Sequence, residues 1–400
     1  MPNPILRFQK AEKTPFSDWE CVSMGECFSE RKQRASGGET LLSVTISNGV
    51  KLQSDSNKRD TSSEDKSNYK VVKIGDIAYN TMRMWQGAEG LSIWDGIVSP
   101  AYTVITPKEG INAEFFELLF KTEEAIKLFT IYSQGLSSDN WNLKFDVFAD
   151  LEFFVPCLEE QEKIVQQFKH INNQINNQIS KIQSLEARRK GTLQQIFSQE
   201  IRFKADDGSD FEDWEETLLS DILTERKEKS TGKEEVYSVS VAKGLVNQIE
   251  HLGRSFAAED TSKYKVIRPG DVVYTKSPTG EFKWGIVKQS MIDKNVIVSP
   301  LYGIFIPKSE AIGFVLDAYF SSSVRAHNYL ITQVRKGAKN TINVSNDEFL
   351  DSYIMLPTSE EEAKKIKDFI TLLDQQIKIE KDKLEAIKNV KKGLLQQMFV

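Results

Sequence analysis

From Leu158 to Gln199, apolar residues recur at alternating steps of four and three: Ile164, Phe168, Ile171, Ile175, Gln178, Ile182, Leu185, Arg189, Thr192 and Ile196. Seven of these ten slots are apolar, the pattern of a heptad helix seam. The same walk from Ile366, through Ile370, Leu373, Ile377, Glu380, Leu384, Ile387, Lys391 and Leu394 to Met398, fills eight of ten. The polar slots coincide, Gln178 with Glu380 and Arg189 with Lys391. Neither stretch contains proline, and Gly191 and Gly393 fall at matching places in KGTLQQIF and KGLLQQMF. Each helix should be ~60 Å long. A long helix with a narrow apolar stripe needs a partner, and each stretch supplies the other's. Gln178 and Glu380 either set the register or tolerate burial near a wet seam.

The rest of the chain reads as short strands and helices. Tyr69 to Asn80 looks like strand, turn, strand, with Lys73-Ile74-Gly75-Asp76 as the turn; Arg268-Pro269-Gly270-Asp271 places proline and glycine where a type II turn wants them. Gly96 to Thr106 and Val296 to Ile306 alternate like strands, and Ala113 to Ile131 and Phe314 to Ile331 have helical spacing. These elements repeat. LRFQKAEKTPFSDWE at Leu6 returns as IRFKADDGSDFEDWE at Ile201, YKVVKIGDIAYN at Tyr69 as YKVIRPGDVVYT at Tyr264, and GIVSPAYTVITPK at Gly96 as VIVSPLYGIFIPK at Val296. The chain is a tandem duplication. The stretches opening at Glu30 and Glu225 share little beyond their ERK start, so one frame carries two different surfaces.

The expected fold is α+β, two mixed domains in tandem with two long antiparallel helices forming a coiled-coil spacer. The boundaries fall at 1–157, 158–199, 200–357 and 358–400. The second domain starts a few residues after the first helix ends and the second helix leaves that same domain, so helices lying side by side run antiparallel. A dumbbell with an approximate two-fold axis follows, with Val400 returning near Leu6.

Composition narrows the function. A net charge of −6, with 40% hydrophobic and 28% charged residues, argues against an indiscriminate polyanion binder. Any nucleic-acid contact must come from local loops. The three cysteines, Cys21, Cys27 and Cys157, lack metal spacing and suit a reduced cytoplasmic interior. No apolar run is long enough for a membrane span and the first ten residues lack a signal-peptide core, so no membrane contact is expected. His170, His251 and His327 are scattered. Gly232-Lys233 is followed by Glu234 rather than Ser or Thr, so there is no phosphate loop, and G-x-G-x-x-G is absent too. Glu30-Arg31-Lys32 and Glu225-Arg226-Lys227 imitate half of a nuclease site without a preceding acidic strand, and read as surface charge. On the residues alone, a scaffold whose end domains bind proteins stays open.

The FSDWE and FEDWE openings, the KIGDIAYN and RPGDVVYT turns, the IVSPAY and IVSPLY strands, VPCLEEQEKI and the paired helix ends together resemble the specificity (S) subunit of type I restriction-modification systems. The likeness covers nearly the whole chain. One departure is PTSEEEAKKI, read with Glu362 in place of Gln161. The resemblance implies two target-recognition domains, each reading one half of an asymmetric bipartite DNA site. It implies helices that act as a ruler for the unread spacer and dock two modification (methyltransferase) subunits. Restriction (ATP-dependent translocase/nuclease) subunits would join the complex. It also implies a non-catalytic chain without cofactor: S-adenosylmethionine, ATP and Mg2+ belong to partner subunits. Lys181 and Lys383 mark the outer helix face expected to dock them.

Reading double-stranded DNA requires donors and acceptors on loops held by a rigid frame. In the first domain the candidates are Arg31, Lys32, Arg34, Asn80, Arg83, Gln86, Gln134, Ser137, Asn140 and Asn142. In the second they are Arg226, Lys227, Lys229, Lys276, Ser277, Thr279, Arg335, Lys336, Lys339, Asn340 and Asn343. Lysines suit phosphates, while Arg83 and the asparagines suit base edges. Trp19, Trp85, Trp214 and Trp284 read as packing aromatics.

Overall fold

The computed structural model describes residues 4–55, 62–135, 141–252, 260–333, 335–336 and 342–399. It divides into two compact units, Met1–Ser180 with Lys381–Val400, and Lys181–Glu380. Each unit therefore takes its globular part together with a piece of both long helices, Leu158–Phe197 and Glu360–Gln397.

In the first unit, four antiparallel strands run in the order Phe28–Glu30, Tyr102–Pro107, Ile77–Asn80, Glu89–Leu91. Its core gathers Phe28, Ile77, Tyr79 and Ile105 from this sheet and Phe115, Phe116 and Phe129 from the helices behind it. Ile164 and Phe168 join from the first long helix, Met398 and Phe399 from beyond the end of the second. The second unit repeats the order with Leu223–Glu225, Gly303–Pro307, Val272–Tyr274 and Val287–Gln289. Its core takes Leu193 and Ile196 from the end of the first long helix and Ile366 and Ile370 from the start of the second. Full burial of side chains such as these contributes roughly 1.5–3 kcal/mol each.

Every slot of both seams is buried or half-buried, while the residues between them are mostly exposed. Ile164, Phe168, Ile171, Ile182, Ile366, Ile370 and Ile377 are buried; Ile175, Leu185, Leu373, Leu384 and Ile387 are half-buried. In the second unit, Arg189 makes a bidentate pair with Asp374, and Lys181 Nζ lies 3.1 Å from the carboxylate of Glu380. One helix advances from 181 to 189 as its partner falls from 380 to 374, so the segments there run in opposite directions. Lys181, expected to face a partner protein, is thus engaged with its neighbouring helix.

The start of each long helix is anchored by a buried carboxylate. Glu160, fully buried, accepts from Arg7 at 3.1 and 2.7 Å. Glu362, equally buried, accepts from Arg202 at 2.8 and 3.2 Å and from Trp214 Nε1 at 3.0 Å. Glu362 is therefore the counterpart of Glu160, and the expected departure at Gln161 disappears: the glutamine aligns with Ala363, and its side chain donates to Pro156 O at 2.8 Å. The seam, which matches Ile164 to Ile366, already required this register.

Two strand and helix expectations change. The run from Gly96 to Thr106 is two strands, Gly96–Val98 and Tyr102–Pro107, because Tyr102 N bonds Ser99 O at 3.0 Å and turns the chain between them. The helical stretch from Ala113 splits into Ala113–Leu119 and Glu123–Tyr132. There Thr122 caps the second piece by accepting from Ala125 N. The second unit splits likewise, into Glu310–Phe320 and Ser323–Leu330, with Ser322 as the cap. Among the described residues, no helix is long and apolar enough to cross a membrane.

Candidate nucleic-acid interface

The frame fixes the loops through the two predicted turns. Gly75 and Gly270 have φ of 90° and 83°, and Asp76 N and Asp271 N close their turns on Lys73 O and Arg268 O at 3.0 and 3.1 Å. Only glycine takes that conformation without strain. Asp76 and Asp271 are buried, and each receives a bidentate arginine: Arg31 at 2.6 and 2.9 Å, Arg226 at 2.6 and 2.9 Å. These hydrogen bonds raise both guanidinium pKa values above the usual range. Arg31 and Arg226, chosen as DNA contacts, are thus committed to holding the turn. The neighbouring Lys32 and Lys227 are exposed. Exposed Arg34 donates to Asn68 O at 2.6 Å.

The first unit brings together candidates far apart in sequence. Leu143 N donates to Thr81 O at 2.8 Å, and the Trp85 and Trp141 rings meet edge-on at 5.3 Å. Gln134 and Asn142 exchange backbone hydrogen bonds, both 2.9 Å. The loop bearing Asn80, Arg83 and Gln86 is therefore docked beside Gln134 and Asn142. Arg83 and Gln86 are exposed, whereas Asn80 is half-buried and its Oδ1 accepts from Met82 N at 3.0 Å. Ser137 and Asn140 lie outside the described residues.

In the second unit, Lys276, Ser277 and Thr279 follow the strand Val272–Tyr274. Lys276 is half-buried at a φ of 59°, and burial, with Lys265 adding to it, lowers its amine pKa. Lys229 pairs with Lys265 along the backbone, so three lysines share one neighbourhood. Arg335, Lys336 and Asn343 fall on two short paired strands whose side chains are outside the described set, and Lys339 and Asn340 lie outside the described residues altogether. Trp19 and Trp214 are core residues, and Trp284 donates to His327 Nδ1 at 2.9 Å.

The sequence reading missed Lys70, Lys265 and the carboxylates Glu30 and Glu225. Glu30 is half-buried, 3.5 Å from Lys70 Nζ, and Glu225 accepts from Asn346 Nδ2, so neither is plain surface charge. The signal was present: the Tyr-Lys pair opens the same strand in both copies. Among the described residues, no three His, Cys, Asp or Glu side chains gather to hold a metal ion.

The comparisons with known proteins fit this geometry. Residues 18–187 match the type I restriction modification DNA specificity domain. A specificity subunit of the type I restriction enzyme MjaVIII of Methanocaldococcus jannaschii is 26% identical over 350 residues, spanning 81% of this chain and 78% of that one. The crystal structure of the S subunit of a type I system from M. genitalium superposes over 100% of this chain and 99% of that one, at 12% identity and a TM-score of 0.54. A chain from a study of assembly and conformational transition of the type I system covers 96% and 99%, at 16% identity and a TM-score of 0.56. The two structures speak to the fold. Residues 18–187 thus carry the type I DNA specificity domain, and most of the chain's length is similar to a type I specificity subunit.

Proposed function

We propose that this chain is the non-catalytic, address-reading subunit of a type I complex, with each unit reading one half of an asymmetric bipartite DNA site. The observation that carries the reading is one frame used twice with unlike loops: the same strand order and the same arginine-aspartate turn lock, but Asn80, Arg83 and Gln86 in one unit against Lys276, Ser277 and Thr279 in the other. Rigid strands with exchangeable polar loops suit sequence readout. The domains act as 1–157 and 200–357, and the helices at 158–199 and 358–400 set the number of unread base pairs. A helix of 40 residues is ~60 Å long, close to two turns of duplex at ~34 Å each.

Two modification subunits dock on the helices and bring S-adenosylmethionine; restriction subunits bring ATP and Mg2+. This chain supplies no reacting group, and it works in the cytoplasm beside the DNA it marks. The test is to express the chain with a modification subunit from the same source in a host lacking both, and map methylated bases across the genome. Methylation confined to one split motif, and absent without this chain, is the expected result. Methylation independent of the chain, or Mg2+-dependent cleavage of DNA by the chain alone, would overturn it.

A further inference from the structure

Each unit holds the same two charges at the same place. In the first, Glu30 ends the strand Phe28–Glu30 and lies 3.5 Å from Lys70 Nζ on Lys70–Val72, with the two side chains 18% and 12% exposed. In the second, Glu225 and Lys265 occupy the matching strands Leu223–Glu225 and Lys265–Ile267. In the first unit this pair lines an open cleft of about 460 Å³, together with Thr81, Thr103, Asn142 and Phe145. The cleft lies beside the loop that carries Asn80 and Arg83.

Around this common floor the walls differ, and they differ together. Lys276 stands where the first unit has Thr81, Gly303 where it has Thr103, and Asn346 where it has Phe145. A Cβ on Gly303 would stand 2.8 Å from Asn346 Oδ1, so the glycine makes the room the asparagine occupies. Asn346 Nδ2 in turn donates to the Glu225 carboxylate, and Lys265 donates to Tyr302 O at 2.6 Å. The carboxylate that faces a lysine in the first unit is thus taken up by an amide in the second. Lys276 sits at a φ of 59°, where glycine would be free of strain.

The balance of donors and acceptors at the two positions therefore differs. Glu30 lies 3.5 Å from Lys70 Nζ and 3.9 Å from Lys32 Nζ and keeps further acceptor positions, and a carboxylate acceptor suits an exocyclic amino group. Lys265 and Lys276 present donors, which suit the O6 and N7 acceptors of guanine. We propose that this duplicated position, which lines a cleft in the first unit, is the base-reading site of each unit, with Glu30 accepting from the amino group of cytosine or adenine and Lys276 donating to the O6 and N7 edge of guanine. The proposal rests on the DNA-reading function given above. It makes the wall residues at 81 and 145, and at 276 and 346, the ones that set which base edge each unit accepts.

The test uses the full chain bound to its modification subunit. Duplexes retained from a random pool are sequenced for the parent chain, Glu30→Gln and Lys276→Gly, with a melting curve for each. Lys276→Gly suits a positive φ and should fold. It should flatten a guanine preference at one base pair of one half-site, on the order of tenfold, and leave the other half unchanged. Glu30→Gln should do the same at one cytosine or adenine of the other half. If Glu30→Gln loses its fold, Thr81→Lys replaces it; unchanged preference there removes the first-unit assignment. If the parent selects a split motif and the variants select the same motif, even with weaker binding, the cleft is framework or phosphate contact and the proposal falls while DNA reading stands. A parent pool without any motif would remove both.

Discussion

A carboxylate taken out of water needs a cation or a proton, and the chain uses each solution. Glu362 takes the cation: it is fully buried and held by Arg202 and Trp214. Removing one partner of such a pair leaves a buried charge behind. Arg202→Ala is expected to cost ~3–5 kcal/mol in urea unfolding, whereas charge-removing changes at exposed Lys204 should fall within ~0.5 kcal/mol. Glu89 takes the proton. It is fully buried, with Lys121 Nζ 3.6 Å away, and burial pushes its carboxyl up to about 8 from an unfolded value near 4.5. The folded state then holds a proton that the unfolded chain has released, so stability declines as pH rises through that window. Glu89→Gln should flatten this decline, and melting curves at pH 5 and pH 8.5 against the parent protein would show it; parallel curves would refute it. At this scale the sequence was least legible. The ERK arginines looked like free donors because the aspartate that engages each lies 45 residues away, across the sheet. Glu89 gave no signal, since nothing local marks a carboxylate as buried.

Along the long helices, depth varies with position in a way the heptad alone does not specify. Ile366 and Ile370 are fully buried because they reach into the core of the second unit, while Leu384 and Ile387, at equally good seam slots, are half-buried. Ile366→Ala is accordingly expected to cost ~2–5 kcal/mol and Ile387→Ala about 1 kcal/mol, read as shifts in denaturant midpoint. Equal costs would mean the seam, rather than the domain core, does the anchoring. The helices themselves were plain from the sequence, since strands and loops do not sustain a 3.5-residue apolar period over ten slots. The strands were harder. Gly96 to Thr106 alternates without interruption, and the turn at Ser99 that divides it is made by backbone bonding that leaves the alternation intact. Likewise Thr122 and Ser322 break apparent single helices, since a hydroxyl that caps a helix resembles any other polar residue inside one.

For the molecule as a whole, the duplication extends to its seams. Ile201 N bonds Gln195 O at 3.2 Å where the first helix passes into the second domain, and Leu6 N bonds Gln397 O at 2.9 Å, the same contact between the chain's two ends. Joining Val400 to Met1 and opening the chain between Gln199 and Ile201 exchanges one junction for its equivalent. We expect that permutant to express in soluble form and unfold with the parent's cooperativity; an insoluble product would contradict the equivalence. The duplication could be read from the sequence because framework motifs such as FSDWE and FEDWE persist in both copies. The make-up of the candidate site could not, because it depends on loop residues meeting across long gaps, as Trp85 meets Trp141.

The central claim is that two unlike readers address two half-sites across a fixed gap. The most direct measurement is to select duplexes bound by the chain with its modification subunit from a random pool and to sequence them. A split motif with two unequal halves and one gap length is the predicted result. A single uninterrupted motif, halves at many spacings, or no enrichment from a stable complex would contradict it.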